Sequence, residues 1–100
     1  MMMVYCTCNV SSLSGLIEII DELGLSNYQI LSEVTGRSVK GEPRMNTPVW
    51  PGHNSSVILQ LHNDDVEKIM DRIKKYNTEA YNENELITYC SWPLSDYFYE

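Results

Sequence analysis

Two apolar stripes at helical spacing, each bracketed by segments that alternate like strands, constrain this chain more than any other feature. In the first half, Leu13, Leu16, Ile17, Ile20 and Leu23 recur at i, i+3, i+4, i+7 and i+10, which lines one face of a helix. Ser11 or Ser12 can cap its start, and Gly24 supplies a stop. In the second half, Val66, Ile69, Met70 and Ile73 repeat the spacing. Asp64 followed by Glu67 reads as a capping box with Asp at the cap, and Lys74 and Lys75 are expected in the last turn, where the helix dipole favours cations.

Four segments read as strands. Met3 to Cys8 and Tyr28 to Thr35 alternate with a period of two, Ser56 to Leu61 places Val57, Leu59 and Leu61 on one face, and Leu86 to Trp92 is rich in strand formers. The order is β-α-β-β-α-β. That order predicts an α+β, ferredoxin-like fold: a four-stranded antiparallel sheet with both helices on one face. One hundred residues support one core, so residues 1–100 are expected to form a single domain.

One connection is too long for a minimal version of this fold. Gly36 to about Ser55 joins strands two and three where a hairpin normally takes two to five residues, and loops this long are usually functional. Gly36, Gly41, Pro43, Pro48, Pro51 and Gly52 punctuate it as loop. The loop also breaks the charge pattern. Residues 36–54 hold Arg37, Lys40 and Arg44 against Glu42, a net +2, whereas the whole chain carries −7 and the remainder therefore −9. A cationic loop on an acidic body suits contact with an anion.

The acidic balance disfavours general nucleic-acid binding and anionic membranes. No run approaches the roughly 18 apolar residues of a membrane span, and the first residues lack the pattern of a signal peptide, so a cytoplasmic protein without membrane insertion is expected. Three cysteines, Cys6, Cys8 and Cys90, do not describe a disulfide framework.

The loop carries a family resemblance. Glu33-Val34-Thr35-Gly36-Arg37-Ser38-Val39-Lys40-Gly41 resembles the exit from strand two in the nitrogen regulatory PII proteins, where the T-loop opens. Thr47-Pro48-Val49-Trp50-Pro51-Gly52-His53-Asn54 is similar to a Gly-Thr-x-Val-Trp-Pro-Gly-x-Asn segment of PII-like proteins with short loops, and the elements align to about Pro93. The resemblance implies a homotrimeric signalling protein with effector clefts between subunits and a loop that engages a target protein. It places Gly36, Arg37, Ser38, Gly41 and Arg44 at the cleft entrance. Arg37 and Arg44 become its anion contacts, since a guanidinium fork matches phosphate or carboxylate. Thr47, Trp50, Gly52, His53 and Asn54 complete the candidate ligand site.

The chain also departs from that pattern. Where nucleotide-binding PII proteins carry a glycine-rich segment, residues 77–85 hold no glycine, no lysine and three glutamates, which repel polyphosphate. Ser91, Trp92 and Pro93 stand where basic residues are expected, the loop lacks the tyrosine of the uridylylation switch, and Asn46 replaces a glycine. The cofactor is left unassigned.

Other readings rest on single residues. Cys6 and Cys8 share a strand face, and Cys90 could join them if strand four pairs with strand one; soft thiolates bind copper or zinc, but free cysteines also pack cores. His53 could ligate a metal or stand solvated, and His62 ends strand three. A metal-handling trimer of the related CutA-like architecture, using His53 or the cysteines, is therefore the alternative, and a ligand-free structural trimer a third. Trp50 suits a ligand stack or an interface, and Trp92, Tyr97, Phe98 and Tyr99 suit subunit contact. An enzyme is not expected. Thr7 to Ser14 lacks the basic cradle of an acylphosphatase, no phosphate-binding P-loop is present, and the acids Asp64 and Asp65 belong to a helix start. RNA recognition fails because Tyr5 and Tyr89 have no basic neighbours.

Overall fold

The computed structural model describes residues 1–99. Strand β1 (Met2–Asn9) leads through a 3-10 turn (Val10–Ser12) into helix α1 (Leu13–Glu22). Strands β2 (Tyr28–Val34) and β3 (Asn54–Leu61) follow, then helix α2 (Asn63–Glu79), a second 3-10 turn (Glu83–Glu85) and strand β4 (Thr88–Pro93). The strands form one antiparallel sheet in the order β2-β3-β1-β4, the ferredoxin-like arrangement that the element order predicts.

Alternation along β1 and β3 sends Val4, Cys6, Cys8, Val57, Leu59 and Leu61 to the helix-covered face. Leu16, Ile19 and Ile20 of α1, Ile69 and Ile73 of α2, and Ile87 close over them, so the apolar stripes are the seams of the core. The helices meet closely at Gly15, where a Cβ would lie 2.8 Å from the Tyr76 ring. Gly24, at φ 69°, ends α1 in a Schellman arrangement: Leu25 N donates to Ile20 O (3.1 Å) and Gly24 N to Asp21 O (3.0 Å).

Four local expectations need correction. Ser12 lies at the start of α1, but its Oγ donates to the Glu85 carbonyl at 3.0 Å instead of capping the helix. Helix α2 begins at Asn63, with His62 at the cap position, so Asp64 and Asp65 occupy the first turn and face the positive end of the dipole. The same helix continues past Lys74 and Lys75 to Glu79, because Tyr76 packs on the core and Asn77 anchors the last turn. Strand β4 starts at Thr88 and not Leu86: the Asn77 side-chain amide takes both the N–H and C=O of Ile87, each at 2.8 Å, in place of a strand partner.

The other face of the sheet carries no helix. Leu31 is 45% exposed and Trp92 44%, and they share this face with Met3, Tyr5 and Ile58. At its centre, Tyr5 Oη donates to Ser56 Oγ (3.1 Å), and Thr7 and Ser56 share a further hydroxyl bond (3.2 Å). Among the described residues, no helix is long and apolar enough to cross a membrane. Leu16→Ala removes a fully buried side chain and should lower unfolding free energy by about 2–5 kcal/mol in urea titration. Gly15→Ala should also destabilise, and pairing it with Tyr76→Leu should recover part of the loss.

Candidate functional site

The long β2–β3 connection is folded on itself as two small loops. Gly36 and Arg44 exchange backbone hydrogen bonds of 2.9 and 2.8 Å, which closes a tip over residues 37–43. Across that tip, Arg37 Nε donates to the Gly41 carbonyl at 3.3 Å. Met45 N and Thr47 N both donate to Trp50 O at 3.1 Å, Asn46 N donates to Gly52 O at 2.9 Å, and Thr47 Oγ1 accepts from Trp50 N at 3.0 Å. These bonds close the second loop. Asn46 sits at φ 56°, in the left-handed region, which explains an asparagine where the short-loop pattern carries glycine. Its side-chain amide also donates to the Glu33 carboxylate.

Arg44 is the hinge of this arrangement. Only 7% exposed, it sends Nη1 to Asn54 Oδ1 (2.7 Å) and Nη2 to the Asn84 carbonyl (3.0 Å) and Oδ1 (3.3 Å). It therefore joins the loop base, the start of β3 and the Glu83–Glu85 turn. Among the described residues no carboxylate pairs with it. The two ion pairs found there, Asp65–Lys68 and Glu22–Arg72, lie on the helices. A guanidinium withdrawn from water and met only by neutral amides leaves an uncompensated positive bias.

Beside it opens a cavity of about 240 Å³, walled by Asn9, Glu42, Arg44, Val49, Trp50 and Asn84 among others. The structure thus brings Arg44, Asn54 and Trp50 together. Arg37 and Ser38 lie on the tip, outside that wall, with Arg37 exposed and its terminal nitrogens without a protein partner among the described residues. Thr47 and Gly52 shape the second loop. His53 is half-buried, and its carbonyl accepts from Val10 N at 3.2 Å. Asn9 and Asn84 were not singled out from sequence. The only signal for Asn84 is the asparagine richness of the stretch where Asn82 Oδ1 also accepts from Asn84 N at 2.8 Å.

The cysteines separate. Strand β4 does pair with β1, but Cys90 stands opposite Tyr5, on the open face, while Cys6 and Cys8 are buried beneath the helices. Tyr89, opposite Cys6, packs toward the core and is not an exposed sheet aromatic. No group of three potential metal ligands forms among the described residues, at His53 or at the cysteines. Burial pushes the Cys6 thiol up to about 12, helped by the neighbouring Cys8 and Cys90. Burial likewise pushes Cys8 up to about 11, opposed by the Arg44 guanidinium.

No family model and no curated protein matches this chain. Solved structures do. A PII-like signalling protein from Thermus thermophilus superposes with a TM-score of 0.62 at 16% identity, over 91% of this chain and 83% of that one. CPII from Thiomonas intermedia, a nitrogen regulatory PII-like protein bound to ADP, AMP and bicarbonate, gives 0.65 at 11% identity over 91% and 90%. A further CPII structure gives 0.68 at 10% over 95% and 88%. The chain therefore has the fold of the PII-like signalling proteins, as its loop motifs suggest.

In native protein, a thiol reagent at pH 8 should leave Cys6 and Cys8 unlabelled, and should label all three cysteines after denaturation. Because the folded chain holds the Cys6 and Cys8 protons above the ordinary thiol value of 9.0, their contribution to stability should decline as pH rises from about 9 toward 11–12. Arg44→Ala should cost about 1–3 kcal/mol by stranding the buried acceptor Asn54 Oδ1, and should loosen the loop in hydrogen exchange.

Proposed function

We propose that this chain is a PII-like regulatory protein: a homotrimer that binds a small anionic effector near the loop base and presents residues 36–54 to a target protein. The observation that carries the reading is a loop closed at its base by the Gly36–Arg44 bridge and turned outward, with the Arg37 head group exposed and Val39 and Val49 98% and 75% exposed. Apolar tips of this kind are poorly suited to water and suit a partner surface. The uncovered apolar face of the sheet supports self-association, since no other described part of the chain packs on it.

The effector follows from charge. Arg44 and Arg37 favour an anion, while Glu42 in the cavity wall and Glu83 and Glu85, which flank Asn84, oppose accumulated negative charge. A weakly charged anion fits that balance better than a polyphosphate. Among the ligands of CPII, bicarbonate and AMP are closer to it than ADP. An effector that competes for the Arg44 guanidinium or its Asn84 partner would shift the second loop, which is how occupancy could reach the target surface.

Light scattering after size exclusion should give three times 11.5 kDa, about 34.5 kDa; a stable monomer would remove the cleft between subunits and overturn the reading. In calorimetry, bicarbonate or AMP should bind more tightly than ADP or ATP. Arg37→Ala should weaken that binding roughly tenfold, the value of one charge-assisted contact, without changing the melting temperature. Unchanged affinity in Arg37→Ala would remove the tip from the site.

A further inference from the structure

Helix α1 has two flanks beside the face it buries. Gly15, Ile19 and Glu22 line the groove shared with α2. Leu13 and Ile17 are each two residues from Gly15 and so lie on the opposite side of the helix. On that free flank Val10, Leu13 and Ile17 line an open groove of about 560 Å³. Val10 is 40% exposed, and Leu13 and Ile17 are half-buried. Every wall of the groove comes from residues 10–22, so no other described segment closes it.

The rim of this apolar strip is acidic. Glu18, Asp21 and Glu22 complete the wall, and no lysine or arginine precedes Arg37 in the sequence. Arg72 of α2 pairs with Glu22, but Glu18 and Asp21 have no ion-pair partner among the described residues. Lys75, the other cation nearby, lines the groove on the α2 side. Asp21 and Glu22 also stand in the last turn of α1, which holds no basic residue and where the helix dipole already places negative charge. The acids are thus set against each other and against the dipole, and a cation brought from outside relieves both.

Shape and charge together select the occupant. From Val10 to Glu22 the groove runs roughly 18 Å at 1.5 Å per residue, about three helical turns. A second copy pairing through the same flank would set carboxylates against carboxylates. The cationic loop tip of another copy, Arg37 to Lys40, offers Val39 as its one apolar side chain and covers only part of the strip. Self-association through the uncovered sheet face leaves the helices outside and the groove open. We propose that this flank of α1 docks a basic amphipathic helix of a partner protein, whose apolar stripe packs on Val10, Leu13 and Ile17 and whose lysines or arginines meet Glu18 and Asp21. The inference rests neither on the anion site nor on the loop.

Three peptides of about 18 residues serve as probes: leucine and lysine arranged with a helical apolar stripe, a scramble of equal composition, and the striped peptide with glutamate for lysine. Titrated by NMR into the full chain, the striped lysine peptide should shift the amides of residues 10–22 saturably. It should bind roughly tenfold more tightly than either control. Glu18→Lys combined with Asp21→Lys should weaken it about tenfold and admit the glutamate peptide, a reversal that loss of structure does not produce. Both positions are exposed and lysine suits the last turn, so the melting temperature should not fall. Equal binding of the scramble, shifts centred on another surface, or an unchanged preference in the double variant would overturn the proposal. So would concentration-dependent shifts at residues 10–22 without peptide that vanish in Arg37→Glu with Lys40→Glu, since the occupant would then be the loop tip of a second copy.

Discussion

A buried guanidinium with no carboxylate partner among the described residues holds the loop end of this protein together. Arg44 closes the loop base through its backbone and reaches, through its side chain, both the first residue of β3 and the turn before β4. Amide oxygens accept from both Nη atoms but carry no charge, so the electrostatic cost of burial is only partly offset. The loop, the end of β1 and the Glu83–Glu85 turn meet around that residual positive field. Their relative positions depend on one side chain, and so would their response to any anion that enters.

The neighbouring acids decide what such an anion can be. Glu85 is partly engaged in local structure, its Oε2 accepting from Tyr81 N at 2.8 Å, but Glu42 contributes to the wall of the cavity itself. A field built from one buried cation and nearby carboxylates attracts a first negative charge and penalises the second and third. Under the proposed function, the +2 of the loop and the −9 of the body would together set which anion is admitted.

The elements were legible because their signals are local. The stripes from Leu13 to Leu23 and from Val66 to Ile73 set the helices, and period-two alternation set the strands. The loop motifs around Gly36, Gly41, Gly52 and Asn54 pointed to the same fold that the solved structures share at 10–16% identity. What failed depends on partners distant in sequence. An arginine in a polar loop gives no sign of whether it turns outward or, as Arg44 does, inward onto Asn54 and Asn84. Cys90 pairs with β1 as expected, yet the register across strands, which no single strand encodes, puts it opposite Tyr5 and away from Cys6. Ile87 reads as strand, but an Asn77 side chain ten residues earlier takes its backbone bonds.

Both helices are spent on one face of the sheet, and the tail after β4 turns to Asn27 without crossing the other. Met3, Tyr5, Leu31, Ile58 and Trp92 are left as an apolar surface with a half-buried hydroxyl cluster at its centre. Covering that surface with copies of the same chain would hide apolar area that the protein cannot bury alone, the usual driving force for association. It would also bring another subunit up to the edge strands β2 and β4, which flank the loop base and the Glu83–Glu85 turn. Assembly and effector binding, as proposed, would then share the same boundary. Whatever fixes the position of Arg44 within one chain would therefore also bear on how its loop meets the next.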